Sequence, residues 1–571
     1  MPRKVPFSAK RKKQQLRDRR ERKRGDAPAG PASGPGSRSG SRERGGDGPP
    51  GDPPSEPPRR HDPGRFRLQL GGPRAEALER SRRRAQEELL ELLPESALEL
   101  DPDSVYGPGL DFPRRPPWSF GMSPEELRAR EEAAFGDFLR ALGDTGDTPG
   151  DSTGDRRGLA PFEHNLETWR QLWRVLEMSD IVLLIADARH PALGVPPSLC
   201  AHVTQALAKG LILILNKVDL APPSVAVAWS HHLRARYGPA RVVPFSTNPG
   251  PPPGPGLQKR QKKRGGRWGR AVGPRLLLEA CEEIVGGAVD LSSWRARLER
   301  AEQHPEDDED EEEEEPPVGD EEEEEEEEGA GPGGVALPRQ WERYRHGVLT
   351  LGCVGLPNAG KSSVLNAVLG RSAVGVSRAP GRTRYFQTHF LTAQVRLCDC
   401  PGLVFPSRAP PELQVLAGVY PIAQLQDPYS AVGFLGSRLA LPPLLQLRPP
   451  NGPGWTAWEL CEAWAEQRGY KTARAARNDV ARAANGLLRM AAEGRIRLCL
   501  RPPGYSLQKE HWELHPDTAA MAAMTGGGAS AHPPPGPASS SEDDEGEESE
   551  QATPPPSPAP NPFALLGEDE C

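Results

Sequence analysis

The sequence is poor in aromatic residues, at 6%, and has no run of about 20 apolar residues, so no membrane-spanning helix is expected. Cysteine is scarce as well. Eight cysteines in 571 residues, none in a CxxC pair, argue against both a disulfide framework and a zinc site. The opening MPRKVPFSAKRKK lacks the apolar stretch of a secretory signal, which points to an intracellular protein. By contrast, 61 glycines and 66 prolines make up more than a fifth of the chain. The length would hold about four average domains, but with so much turn-forming residue the core must be confined to a few stretches.

The net charge of −8 hides a segregation. Residues 1–24 carry twelve Lys/Arg against Asp18 and Glu21, whereas residues 306–328 carry nineteen Asp/Glu and no base. A basic arm beside a separate acidic block reads as a nucleic-acid binder whose acidic tract is solvated or a partner site. Composition divides the chain into a basic, Gly/Pro/Ser-rich disordered arm (1–65) and a linker with helical segments (66–160). An α/β domain (161–410) follows, interrupted by a basic and acidic disordered insertion (250–340), then a helical region (411–525) and a disordered acidic tail (526–571).

Six apolar, β-branched runs read as strands: 181–186, 211–215, 241–246, 348–354, 386–392 and 395–399. Helical patterns separate them, beginning with one in which Leu166, Trp169, Trp173 and Leu176 share a face. Near-continuous apolar strands alternating with helices specify a largely parallel nucleotide-binding sheet. Beyond it, residues 411–426 and 456–498 read as helical, the latter opening with a Thr456/Glu459 capping box.

The chemistry lies at the strand ends. Gly355-Leu356-Pro357-Asn358-Ala359-Gly360-Lys361-Ser362, with Ser363 opening a helix, follows an apolar strand and fits a phosphate loop. Its glycines let backbone N–H groups wrap phosphates, Lys361 bridges β and γ oxygens, and Ser362 holds Mg²⁺. Asn216-Lys217-Val218-Asp219 ends another strand. The Asp219 carboxylate can accept both the N1–H and the amine of guanine, a pairing adenine cannot complete. Asn216 can read the other purine edge, and the Lys217 stem can lie over the base. Asp399-Cys-Pro-Gly402 ends a third strand, where Asp399 reaches Mg²⁺ and the Gly402 N–H faces the γ-phosphate. Between the phosphate loop and this strand, Thr383 is either a switch threonine on Mg²⁺ or part of a plain loop.

The base reader precedes the phosphate loop, with Ser246 between them and Thr383 and Asp399 to Gly402 after, the reverse of an ordinary small GTPase. On these motifs, together with Asn165-Leu-Glu-Thr-Trp, Ser179-Asp-Ile, Asp187-Ala-Arg-His-Pro191 and Pro380-Gly-Arg-Thr383, the chain resembles the circularly permuted GTPases of ribosome biogenesis. Within them it is most similar to the branch of guanine nucleotide-binding protein-like 1 and the large-subunit assembly GTPases. The resemblance implies a permuted P-loop GTPase sheet of about six strands with GTP/GDP and Mg²⁺ as ligands. It also implies a role for Asn358 in seating K⁺ at the transition state, beside the plainer reading that Asn358 braces its loop. Lys361, Thr383 and Asn358 are thus the catalytic candidates, and Ser362, Thr383 and Asp399 the metal ligands.

In Ras-type enzymes a Gln after DxxG orients the attacking water; Leu403 occupies that place, so slow hydrolysis is expected. The implied function is a GTP-dependent switch in large-subunit biogenesis, binding ribosomal RNA or a pre-ribosomal particle, with a non-hydrolysing GTP-binding scaffold as the alternative. An ATPase or nucleotide kinase is disfavoured by Asn216 to Asp219. The basic arm also suits nuclear import receptors, and so a nuclear or nucleolar protein that shuttles to the cytoplasm; a second basic patch, 259–270, carries Trp268. Ser541 and Ser549 sit in acid-directed phosphorylation contexts.

Overall fold

The computed structural model describes residues 69–70, 75–107, 109–119, 121–145, 159–238, 240–250, 257, 271–303, 342–377, 380–381, 383, 386–448, 454–472 and 476–526. The basic arm, the 259–270 patch, the acidic tract and the tail beyond residue 526 lie outside the described residues, as do the disorder and modification expectations placed on them.

Helices α1 (Ala75–Glu87), α2 (Pro124–Thr145) and α3 (Leu166–Met178) precede a six-stranded sheet: β1 (Ile181–Asp187), β2 (Gly210–Asn216), β3 (Arg241–Phe245), β4 (Leu349–Val354), β5 (Gln387–Thr392) and β6 (Val395–Asp399). The order across the sheet is β3-β2-β1-β4-β6-β5. All neighbours are parallel except β5, which returns antiparallel onto β6 at the edge. The strands are buried where helices cover both faces: every residue of β1 and β4 is buried, whereas β5 alternates with exposed positions, as an edge strand must. This is the circularly permuted P-loop GTPase sheet. The permutation is visible in the chain order: β2, which ends at the base-reading loop, precedes β4, which leads into the phosphate loop.

The intervening helices are α4 (Pro223–Arg236), α5 (Pro274–Val285), α6 (Ser292–Gln303) and α7 (Lys361–Leu369). In α3, Asn165 caps the N-terminus by accepting the Glu167 N–H, and Trp169, Trp173 and Leu176 are buried as their spacing predicts. Gly352 is required where α3 crosses β4, because a Cβ there would stand 2.0 Å from Ser179 Oγ. Helices α5 and α6 both fall within the 250–340 segment read from composition as a disordered insertion, and correct that reading for residues 271–303: Leu277, Cys281 and Trp294 are fully buried and seat the two helices against the sheet.

Residues ahead of Glu163 contribute to this core. Val105, Tyr106, Phe112 and Phe135 are buried in it, and the Tyr106 hydroxyl donates to the Leu193 carbonyl at 2.6 Å. Arg115 pairs with Glu131 and Glu177, and Arg170 pairs with Glu131, fastening α2 to α3.

The α-helices of six or more residues in the C-terminal part are α8 (Pro411–Leu416), α9 (Pro428–Gly436), α10 (Ala457–Gln467), α11 (Val480–Ala492) and α12 (Pro516–Thr525). The helical pattern expected over 411–426 is broken, because Gly418 takes a left-handed conformation (φ +76°) and Pro421 follows. The pattern over 456–498 likewise divides into α10 and α11 at Gly469 (φ +66°). The capping box is present: Thr456 N–H donates to Glu459 Oε2 at 2.9 Å and Glu459 N–H to Thr456 Oγ1 at 3.1 Å. Val432, Leu435, Leu460, Trp464 and Leu487 form a second apolar core between α9, α10 and α11.

Candidate nucleotide-binding site

The C-terminal ends of β1, β2, β4 and β6 open onto one cleft of about 290 Å³, the position at which parallel α/β sheets bind ligands. Its floor is the phosphate loop between β4 and α7. Two glycines there are dictated by close approach. At Gly355 (φ +153°) a Cβ would stand 2.3 Å from the Ile185 carbonyl, and at Gly360 (φ +100°) 2.2 Å from Asn216 Nδ2. Leu356, Pro357 and Ala359 are buried and can serve a ligand only through their backbone. Ser362 and Ser363 begin α7, so their N–H groups lie among the unsatisfied donors of its first turn.

Lys361 is buried and points along the loop, donating to the carbonyls of Gly355 (3.0 Å) and Leu356 (2.9 Å). Burial lowers its pKa while Asp399 opposes the shift. Gly402 packs on the other side, where a Cβ would meet Pro357 Cα at 2.7 Å and Lys361 Nζ at 3.1 Å. The DxxG turn and the phosphate loop are therefore in van der Waals contact.

Ser362, Thr383 and Asp399 converge. Both hydroxyls donate to Asp399 Oδ2 at 3.3 Å, and the two hydroxyl oxygens are 3.5 Å apart. Asp399 is fully buried and its other oxygen, Oδ1, has no hydrogen-bond partner. Burial raises this carboxyl, opposed by Lys361, Thr383 and Ser362. A buried carboxylate with an orphaned oxygen beside two hydroxyls is a hard-oxygen donor set, and it fits Mg²⁺.

The base-reading loop closes the other end. Asn216 Nδ2 donates to the Ala359 carbonyl at 2.8 Å, tying β2 to the phosphate loop 143 residues later in sequence. Asp219 accepts from Ser246 Oγ at 2.6 Å, which fixes its carboxylate and explains the sequence signal at Ser246. Burial raises the Asp219 carboxyl, with the Ser246 hydrogen bond opposing. Lys217, in a left-handed conformation (φ +63°), donates to Asp187 Oδ2 at 2.8 Å and to the Asn358 carbonyl at 2.7 Å. Its stem is held across the Gly360 end of the cleft, where a Cβ on Gly360 would lie 3.8 Å from Lys217 Cε.

Every residue singled out in the sequence as a site residue thus lies at or beside one cleft. Others join them that local motifs did not assign to it. Asp187 is buried and orients Lys217, and Arg189 clasps it through Nε to Oδ1 (3.0 Å) and Nη2 to Oδ2 (2.8 Å). Burial pushes the Asp187 carboxyl up, and Arg189 and Lys217 more than offset it, holding it well below the ordinary carboxylate range. The Asp-Ala-Arg-His signature marked this spot without showing what it grips. Leu416, Ala417, Gly418, Ala492 and Glu493 also line the cleft, brought from the C-terminal helices. Asn358 Nδ2 donates to the Gly418 carbonyl at 2.7 Å, so the amide braces the loop against the segment after α8.

Residues 350–420 match the 50S ribosome-binding GTPase family. Over 556 residues the chain is 49% identical to guanine nucleotide-binding protein-like 1 of Homo sapiens, covering 92% of this chain and 90% of that one. It is 29% identical over 423 residues to the GTPase LSG1-2 of Arabidopsis thaliana, covering 70% of this chain and 64% of the other. Among solved structures it is similar to GNP-bound YlqF from T. maritima at 18% identity and a TM-score of 0.34, over 59% of this chain and 98% of that one.

Proposed function

Because the chain belongs to the guanine nucleotide-binding protein-like 1 family of GTPases, we propose that it is a slowly hydrolysing GTP switch acting on ribosomal particles during large-subunit biogenesis. Asn358 carries the reading. One side chain of the phosphate loop is bonded to Gly418, at the start of the C-terminal helices, and those helices supply residues to the same cleft. A change at the γ-phosphate would therefore reach the C-terminal helices directly. The same coupling is built into the chain path, since Leu403, Val404 and Phe405 run straight from the DxxG turn into the core and on to α8.

In this reading Lys361 turns from the loop carbonyls to the β and γ oxygens, and the N–H groups of the loop and first turn of α7 cradle the phosphates. Asp219 and Asn216 select guanine, with Lys217 over the base. Ser362, Thr383 and Asp399 hold Mg²⁺, which supplies positive charge to the developing phosphoryl oxygens when bound. Leu403 is fully buried and donates only its backbone N–H, to Gly355 at 3.2 Å; it offers nothing to orient water. Asn358, already at the phosphate loop, is the residue through which K⁺ would act.

The basic arm supports binding to ribosomal RNA and to import receptors, and with them a nuclear or nucleolar site shared with the cytoplasm. Sedimentation of cell lysate with GDP or a non-hydrolysable GTP analogue tests the assignment. Co-migration with large-subunit particles that depends on the nucleotide is the expected outcome, and free sedimentation under both conditions would reject it. The buried Leu403 favours one second reading, a GTP-bound scaffold without productive turnover; that reading predicts particle binding with no released phosphate.

A further inference from the structure

Away from the nucleotide cleft, side chains from distant parts of the sequence converge at one place. His231 lies on α4, and His515 and Asp517 stand at the N-terminal end of α12. His231 Nε2 is 2.9 Å from Asp517 Oδ2, and His515 Nδ1 is 3.8 Å from the same oxygen. One ligand atom from each residue lies within 4.8 Å of the other two. The His231 and His515 rings are 4.9 Å apart and edge-on, and the exposed His511 has its ring 5.6 Å from that of His515. Trp512 packs against both His231 and His515, giving the cluster an apolar wall.

We propose that His231, His515 and Asp517 bind a divalent transition-metal ion, with Zn²⁺ the best match, and that the ion clamps α12 to α4. Two imidazole nitrogens and a carboxylate oxygen form a mixed donor set of the kind zinc takes, and the fourth position falls to His511 or to water. Donors around a tetrahedral zinc at about 2.1 Å stand about 3.4 Å apart, so the His231–Asp517 pair opens slightly, the His515–Asp517 pair closes slightly, and no pair moves by more than about 1.4 Å. The scarcity of cysteine that argues against a thiolate site has no bearing on this one. Binding has a local cost, because His515 Nδ1 now accepts the Asp517 N–H at 3.2 Å as the cap of α12, and the ion displaces that bond. Arg234 acts electrostatically on Asp517, so the affinity is below that of a closed thiolate site.

The clamp has a mechanical consequence. Helix α4 follows directly on the turn that carries Asp219, so the ion ties the last described helix to the element behind the base-reading loop. Because the ligands must be deprotonated, binding of the ion releases protons and is weakened by acid.

Full-length protein stripped with a chelator is titrated with Zn²⁺ by calorimetry and followed by thermal melting. One equivalent should bind and raise Tm. His231→Ala and Asp517→Asn should each weaken this binding by about 10-fold or more and remove the rise in Tm. Asp517 is exposed, so D517N should melt in chelator as the unmodified chain does, which separates ligand loss from misfolding. The Co²⁺ form should show ligand-field absorption without thiolate charge transfer. No binding at pH 7.5, binding unchanged in both variants, or a thiolate charge-transfer band would each overturn the assignment.

Discussion

Arg189 reaches from the end of β1 to the last turn of α11, where its Nη1 donates to the Ala491 carbonyl at 2.9 Å while the rest of the guanidinium holds Asp187. The backbone repeats the link, since Leu500 N–H donates to the Arg189 carbonyl at 2.7 Å. Asp187 in turn holds Lys217. Base-reading loop, sheet and C-terminal helices therefore share one buried charge cluster.

Arg189→Ala should destabilise the protein by about 3 kcal/mol, because it leaves a buried carboxylate held only by Lys217 and the backbone N–H of residue 189, with no guanidinium to balance it. Urea unfolding measures the loss, and GDP affinity should fall with it as Lys217 is drawn away from the base. Arg189→Lys should not restore the value, since an ammonium cannot clasp both carboxylate oxygens and reach Ala491 together. An unchanged unfolding midpoint in R189A would contradict the role given to the cluster.

Asp219→Asn should lower GTP affinity by about 10-fold or more, a cost of about 1.4 kcal/mol, and improve binding of xanthosine triphosphate. The amide offers a donor where xanthine presents a carbonyl. Competition binding with the two nucleotides checks it; parallel loss of both would remove Asp219 from base recognition.

Gly402→Ala places a methyl group 2.7 Å from Pro357 Cα and 2.8 Å from Pro357 N. Backbone atoms cannot swing aside, so the DxxG turn and phosphate loop must separate. Nucleotide affinity should fall by about 10-fold with a modest loss of Tm, whereas Gly136→Ala on α2, where a Cβ meets nothing within 4 Å, should leave nucleotide binding intact.

His190 is buried against Asp187, Arg189 and Lys217, and burial brings its pKa down to about 4, with Asp187 opposing. The unfolded chain takes up this proton near pH 6.5 and the folded chain does so near pH 4. The contribution is therefore complete above pH 6.5 and is lost as the pH falls to 4, about 3 kcal/mol in all. In His190→Gln the fall in unfolding free energy over that interval should shrink by about this amount; a fall equal to that of the unmodified chain would show that other groups carry it.

Hydrolysis should depend on charge brought from outside the switch, because Leu403 cannot position water. Replacing K⁺ by Na⁺ at constant ionic strength should slow phosphate release, Asn358→Ala should remove the difference, and Leu403→Ala should change little. Equal rates in both salts that rise on addition of large ribosomal subunits would assign the activation to the particle instead of the ion.

The sequence by itself determined the sheet and the motif residues of the cleft. Six apolar runs with helices between them leave few topologies, and Asn216 to Asp219, Gly355 to Ser363, Thr383 and Asp399 to Gly402 each fall at a strand end or in the loop leading to one, where local geometry already sets their use. Their order also carried the permutation, since order is a property of the chain alone. What the sequence could not determine depends on contacts between segments whose separation carries no pattern. That Arg189 grips Ala491, that Asn358 bonds to Gly418, that Phe112 and Phe135 fill the GTPase core, and that His231 meets Asp517 were decided only when the sheet, the preceding helices and the C-terminal helices packed together. Hydrogen bonds across 302, 60 and 286 residues leave no periodic trace, because the tertiary structure alone brings their partners within reach.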